Sequence, residues 1–297
     1  MNMQTRITGN MIATRVLGNL QRSLSQVGEL QEQLSSGKVL NRPSDSPTGT
    51  VAAMQLRSEV RSVQQYDRNA TDAAAWLATI DTTLTAAIPQ VTRVRDLTLQ
   101  AMSAATGGTP NALEALAAEV DAVRESMISI ANTSYLGRPV FGGTTSGTVA
   151  FNPDGSYAGN TDPVLRKINE GDPLQVDANG ETVFGTGAGQ LFAVMEQVAD
   201  DMRNNPAALG ANLALLNTAS TRILTALADV GARYNRVEQT QQTGQDRLLS
   251  LQSQLSDVED IDLPATIMEM QLQQSAYEAA LGASAKVMQP SLMDFLR

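Results

Sequence analysis

In Lys38-Val39-Leu40-Asn41-Arg42-Pro43-Ser44 a hydroxyl follows an amine by six residues. These are the residue types of a Ser/Lys acyl-transfer pair, with Ser44 as nucleophile and Lys38 as base. Nothing else in the chain supports such chemistry. There is no Gly-rich phosphate loop and no paired carboxylate motif. The sequence contains no Cys and no His, which removes disulfides, thiolate nucleophiles, imidazole bases and nearly all zinc or haem sites. The expectation is therefore a protein without catalytic, cofactor or metal site, and an enzyme is its weakest reading.

The same segment reads more simply as a corner between helices. Gly37 can take the left-handed conformation that closes a helix. Pro43 and Pro47 fix the turn, while Ser44, Asp45 or Ser46 is placed to cap the next helix, and Ser46-Pro47 gives an N-cap with proline at the first helical position.

On the N-terminal side of this corner, Leu17, Leu20, Leu24, Val27 and Leu34 fall on alternating steps of three and four, with Ile7 and Met11 ahead of them. At the other end of the chain Ile267, Met270, Tyr277, Leu281 and Met288 do the same, with Gln274 and Ser284 filling the remaining seam positions and Leu292 beyond. Both segments are otherwise rich in Gln, Ser, Asn and Ala. Such thin stripes need partner helices, and each is the other's first candidate. Residues 1–62 hold seven basic and four acidic side chains, residues 238–297 three basic and nine acidic. That asymmetry favours pairing the ends and predicts that pairing weakens as salt rises.

Between the ends the pattern is mostly helical. The steps Leu56, Val60, Val63, Ala70, Ala74, Leu77, Leu84, Ile88 and Val91 predict a long second helix running through Pro89. Gly107-Gly108 breaks it and Thr109-Pro110 restarts it, so that Leu113, Leu116, Val120, Val123, Met127 and Ile130 form the return arm of a hairpin. From Tyr135 to Gly187, Gly, Asp, Asn, Pro and Thr cluster around β-prone pieces such as Pro139-Val140-Phe141 and Glu181-Thr182-Val183-Phe184, which predicts a small β-rich insert. Arg166 and Lys167 beside Asp172 read as a solvated surface. Helix resumes near Gln190 and stops at Asn205-Pro206. From Leu209 to Val258 fifteen positions keep an unbroken four-three alternation, twelve of them apolar. At ~1.5 Å per residue that is a rod of roughly 75 Å.

Composition agrees with helical packing. Aromatic residues make up only 4% of the 297, so burial must come from many medium-sized side chains. A net charge of -10 argues against nucleic acid as partner, since phosphate binding needs a basic face. No run of about eighteen apolar residues occurs, and the first twenty residues lack the apolar core of a Sec-type leader. Export would then need a route without a cleaved leader.

With these pieces in view, the chain resembles the bacterial flagellins and their junction relatives. The run Ser35-Ser36-Gly37-Lys38-Val39-Leu40-Asn41-Arg42-Pro43-Ser44-Asp45-Ser46-Pro47-Thr48-Gly49 is similar to the segment after the first helix in that family. Asn132-Thr133-Ser134-Tyr135-Leu136-Gly137 with Val140-Phe141-Gly142-Gly143 resembles its entry into the variable domain. Gln274-Ser275-Ala276-Tyr277-Glu278-Ala279-Ala280-Leu281 and Ser291-Leu292-Met293-Asp294-Phe295-Leu296 look like the junction branch more than like flagellin. Residues 144–186 carry little of the likeness.

The resemblance implies a mainly α fold: a long antiparallel helical rod, a flagellin-like coiled-coil bundle, with a small β-rich insert. It divides the chain into an N-terminal assembly helix (1–43), a first rod segment (44–134), the outer insert (135–187), a second rod segment (188–258) and a C-terminal assembly helix (259–297). It implies a secreted, extracellular subunit joining hook to filament. The partners would be hook-associated protein 1, flagellin, further copies of itself in a ring, and an export chaperone on the C-terminal helix. The residues expected at the assembly interface are the two terminal stripes, with Asn41, Arg42, Pro43, Ser44 and Asp45 as the inter-domain corner. A filament subunit is the nearest rival, and a secreted translocator acting on membranes a more distant one.

Overall fold

A computed structural model describes residues 9–105, 110–171 and 173–288. Helix α1 (Gly9–Ser36) leads to α2 (Pro47–Ala105) and α3 (Pro110–Ala131); the strands β1 (Ser134–Tyr135), β2 (Arg138–Pro139), β3 (Leu165–Arg166) and β4 (Leu174–Gln175) come next. Then come α4 (Gly180–Phe184), α5 (Leu191–Asn204), α6 (Leu209–Glu259) and α7 (Leu263–Met288). The chain forms two compact units, residues 62–247 and residues 1–61 with 248–297.

The helix ends obey local chemistry. Gly37 takes φ +72° after α1, and its N–H donates to the Gln33 carbonyl at 2.8 Å. Of the three candidate caps for α2, Ser46 is the one used: its Oγ accepts the Gly49 N–H at 3.1 Å, with Pro47 as the first helical residue. Helix α2 continues through Pro89 for 59 residues. The residue expected to cap α3, Thr109, lies outside the described residues.

In the unit of residues 62–247 the core is continuous. Trp76, Leu77, Ile80, Leu84, Val91, Val94 and Leu97 of α2 are buried together with Val120 and Met127 of α3, Leu191, Met195 and Val198 of α5, and Leu216, Ile223, Val230 and Val237 of α6. All fifteen stripe positions expected between Leu209 and Val258 are buried or half-buried. Ion pairs tie the rims of these helices: Arg93 of α2 to Glu119 of α3, and Arg203 of α5 to Glu114 and Asp121 of α3. Asn212 of α6 donates to the buried Asp201 of α5 at 2.7 Å.

The insert holds far less strand than its composition predicts. Its strands form two antiparallel pairs of two residues each, β1 with β2 and β3 with β4. Glu181-Thr182-Val183-Phe184, expected as a strand, lies in α4 because Asn179 Oδ1 accepts the Glu181 and Thr182 N–H groups and caps a helical turn. What organises this region is aromatic packing. Phe151 sits 4.9 Å from Phe192, 5.2 Å from Tyr157 and 5.3 Å from Phe184, centroid to centroid, and Phe141 stacks edge-on to Phe184. Asn and Asp side chains supply the backbone partners that longer strands would have supplied, as where the buried Asp177 accepts the Val164 N–H at 2.8 Å.

The β1–β2 hairpin turns on Leu136-Gly137, and both residues have positive φ, +50° for Leu136 and +77° for Gly137. A Cβ-bearing residue there is held about 1–2 kcal/mol above its relaxed conformation. Leu136 is 80% exposed and so has little packing to lose. Leu136→Asn, which tolerates this region, is expected to stabilise the fold by about 1 kcal/mol, raising the midpoint of thermal unfolding by roughly 2–4 °C.

Candidate assembly interface

Helices α1 and α7 pack against each other, as the sequence predicts for the two ends. Among the half-buried positions of α1, Val16, Leu20, Ser23, Val27, Leu30 and Leu34 form an unbroken four-three series, with Gly18 and Gln33 half-buried beside it. Those of α7 include Ile267, Met270, Gln273, Tyr277, Ala280 and Ser284. Leu20, Val27, Leu34, Ile267, Met270 and Tyr277 of the expected stripes thus lie on the covered side. Leu17, Leu24 and Leu281 do not: they flank the covered stripe and remain exposed. Ile7 and Leu292 lie outside the described residues, as do the side chains of Met11 and Met288.

Apolar surface left uncovered is the main property of this unit. Among the described residues, the continuous core draws only on those between Ala70 and Val237. Among the described residues of the terminal unit, the fully buried apolar side chains are Ala53 and Leu251. Meanwhile Val51, Met54, Leu249, Leu263, Met268 and Leu272 are exposed, the last two at 66% and 71%. Met268 and Leu272 project from the side of α7 that turns away from its half-buried stripe. Over Leu263–Met288 only Glu269, Glu278 and Lys286 are charged. Large apolar side chains thus occur on more than one side of α7, among polar ones such as Gln271, Gln274 and Ser275, while one side is covered.

The corner segment closes on itself. Asp45 Oδ2 accepts the N–H groups of Asn41 at 3.1 Å and Arg42 at 2.8 Å, and Asn41 Nδ2 donates to the Lys38 carbonyl at 3.1 Å. Arg42 reaches back to Glu32 on α1 at 2.9 Å. Pro43 and Ser44 are exposed at the tip. The Ser/Lys pair is not assembled: Lys38 Nζ donates to Glu259 Oε2 at 2.7 Å, while Ser44 Oγ donates to Asp45 at 3.4 Å.

The charge asymmetry of the ends is concentrated at the corners rather than along the paired helices. Helix α1 carries two basic and two acidic residues. The acidic excess sits in Asp257, Glu259, Asp260 and Asp262, of which Glu259 pairs with Lys38 and Arg57. Glu259 is not singled out by sequence reasoning, being one acid among four. Its side chain is 3% exposed, with Lys38 on one oxygen and Arg57 Nε at 2.6 Å on the other. Burial pushes its carboxyl up, yet the two cations more than offset this and hold it below the ordinary Glu value. The carboxylate is enclosed while Lys38 and Arg57 are 42% and 46% exposed, so salt still screens this clasp, though less than an ion pair exposed on both sides.

Comparison with known proteins gives the same picture. Residues 7–146 match the bacterial flagellin N-terminal helical region. Flagellar hook-associated protein 3 of Escherichia coli is 24% identical over 94% of this chain and 95% of its own length. A flagellin of Bacillus subtilis is 24% identical over 89% of this chain and 90% of its own. The solved structure of a flagellar hook-associated protein from Vibrio parahaemolyticus, 19% identical, superimposes with a TM-score of 0.66 over 73% of this chain and all of that one, and shares the fold. The chain thus carries a bacterial flagellin N-terminal helical region and is similar over nearly its whole length to flagellar hook-associated protein 3.

Proposed function

We propose that this chain is a structural subunit of the flagellum that joins the hook to the filament, between hook-associated protein 1 and flagellin, with further copies of itself around the ring. The observation that carries the reading is α7, which exposes Met268 and Leu272 on the side opposite the one that α1 covers. A subunit of a tubular assembly needs such a helix, because neighbouring copies cover the remaining faces. The terminal pair of a lone chain lacks those faces, and contact with other subunits supplies them. Secretion by the flagellar type III route and a chaperone on the C-terminal helix beforehand fit the same exposed surface. No catalysis is assigned. A membrane-acting translocator is disfavoured because no helix among the described residues is long and apolar enough to cross a bilayer.

Deleting the gene in its host tests the reading. Flagellin should then appear in the medium as monomer while hooks remain bare, and the full chain supplied in trans should restore filaments. Normal filaments in the deletion strain would sink the proposal. Whole-length similarity to the Bacillus subtilis flagellin supports a second reading, a filament subunit. In that case the purified chain would elongate without limit on hook fragments instead of stopping at one layer.

A further inference from the structure

Heptad stripes made of modest apolar and polar residues define which faces of two helices meet, but define their register poorly. The α1 stripe offers much the same surface after a slide of seven residues: Val16, Ser23 and Leu30 on one edge, Leu20, Val27 and Leu34 on the other. The α7 stripe contains Gln273 and Ser284 as well as Met270 and Tyr277. Along the pair Gln273 donates to Gln26, but that contact is exposed and can re-form with water. A polar group fixed at one level is the usual device that selects a register in such a pair.

That device is present at the root of the pair. Glu259 ends α6, and its enclosed carboxylate is held by Lys38, just after α1, and by Arg57 of α2. Its Oε1 has no well-aligned hydrogen bond, its partner being the Arg57 guanidinium in an ion pair. The main chains interlock beside it. The Val39 N–H donates to the Glu259 carbonyl at 2.7 Å, the Ile261 N–H donates to the Gly37 carbonyl at 3.1 Å, and Lys38 faces Asp260 in an antiparallel bridge. Both helices leave from this point, α1 ending at Ser36 and α7 beginning at Leu263. Only three residues separate α6 from α7, so the level of Glu259 transmits directly to the level of α7.

We propose that Glu259 is a register key: clasped by Lys38 and Arg57, it sets the level at which α1 and α7 face each other, and therefore which stripes of the pair a neighbouring subunit meets. This role belongs to the chain's own hairpin and does not depend on the junction reading. A misregistered pair would still be helical but would present Leu17 and Leu24 at the wrong height relative to Met268 and Leu272.

The absence of Cys makes the test direct. In the full chain, Gln26→Cys with Gln273→Cys reports the observed register, and Gln26→Cys with Ala280→Cys reports a slip of one heptad. Under mild oxidation the first pair should cross-link at least about tenfold more than the second. Glu259→Gln should bring the two within about twofold of each other. Emission from Trp76, the single Trp and buried in the other unit, should stay unchanged. An unchanged ratio in Glu259→Gln, or no preference in the parent, overturns the proposal. Should Glu259→Gln lose helix content, the triple variant Lys38→Met, Arg57→Met, Glu259→Leu removes the charges together and leaves no unpaired ion. A folded triple variant that accepts both registers supports the key, and one that keeps the parental ratio refutes it.

Discussion

Met268→Asp with Leu272→Asp is expected to yield a folded chain that no longer assembles. Both side chains stand on the uncovered side of α7, so neither contributes to the α1 contact, and their replacement leaves the hairpin itself intact. In an assembly that covers α7 each would lose roughly 1.5–3 kcal/mol of apolar burial. Two such losses weaken each subunit contact by on the order of 10²- to 10⁴-fold, before the cost of enclosing a carboxylate is added. Co-sedimentation of purified chain with hook fragments measures the effect, with far-ultraviolet circular dichroism as the control for folding. Leu20→Asp should behave differently. Leu20 is in the covered stripe, so its charge separates α1 from α7 within the chain and lowers helix content as well as assembly. Binding by the double variant at the parental level would mean that the outer face of α7 remains in water.

The contrast between these variants also shows where sequence reading succeeds. The α6 stripe is legible over fifteen positions because its apolar residues form one face and the partner surface lies in the same chain. Gly37, Ser46-Pro47 and Asn205-Pro206 mark their boundaries through local chemistry alone. In α1 the largest side chains mislead. Leu17 and Leu24 draw the stripe toward themselves, whereas the covered series includes Ser23 and passes through Leu30. A helix with apolar residues on two adjacent faces has two readings, and the α7 contact selects one. Glu259 is illegible for another reason. Its importance comes from meeting Lys38 and Arg57, each about two hundred residues away in sequence, and no local pattern signals that encounter. The insert fails similarly: four phenylalanines spread from Phe141 to Phe192 make its core, and Asn179 turns a β-prone segment into a helix.

Asn132→Ala is expected to release the insert while the helices hold. Asn132 comes just after the last turn of α3, where its N–H donates to the Ile128 carbonyl at 3.1 Å. Its Oδ1 accepts the N–H groups of Ala150 and Phe151, each at 2.8 Å, and its Nδ2 donates to the Phe151 carbonyl at 2.8 Å. One side chain therefore satisfies three backbone groups of a segment that has no strand partner for them. Alanine leaves those groups beside the buried Phe151 ring, at about 1–3 kcal/mol apiece, or roughly 3–6 kcal/mol if water only partly replaces the amide. Amide exchange at Ala150 and Phe151 should accelerate by on the order of 10²- to 10⁴-fold, with the amides of α2 and α6 little affected. Asn132→Asp separates two accounts of the site. It keeps the acceptor for both N–H groups but turns an oxygen toward the Phe151 carbonyl. If the two accepted bonds dominate, it should lose much less than alanine; if the donated bond is decisive, repulsion makes it at least as damaging. Protection at Phe151 that survives Asn132→Ala would show that the aromatic cluster holds the insert without this bracket.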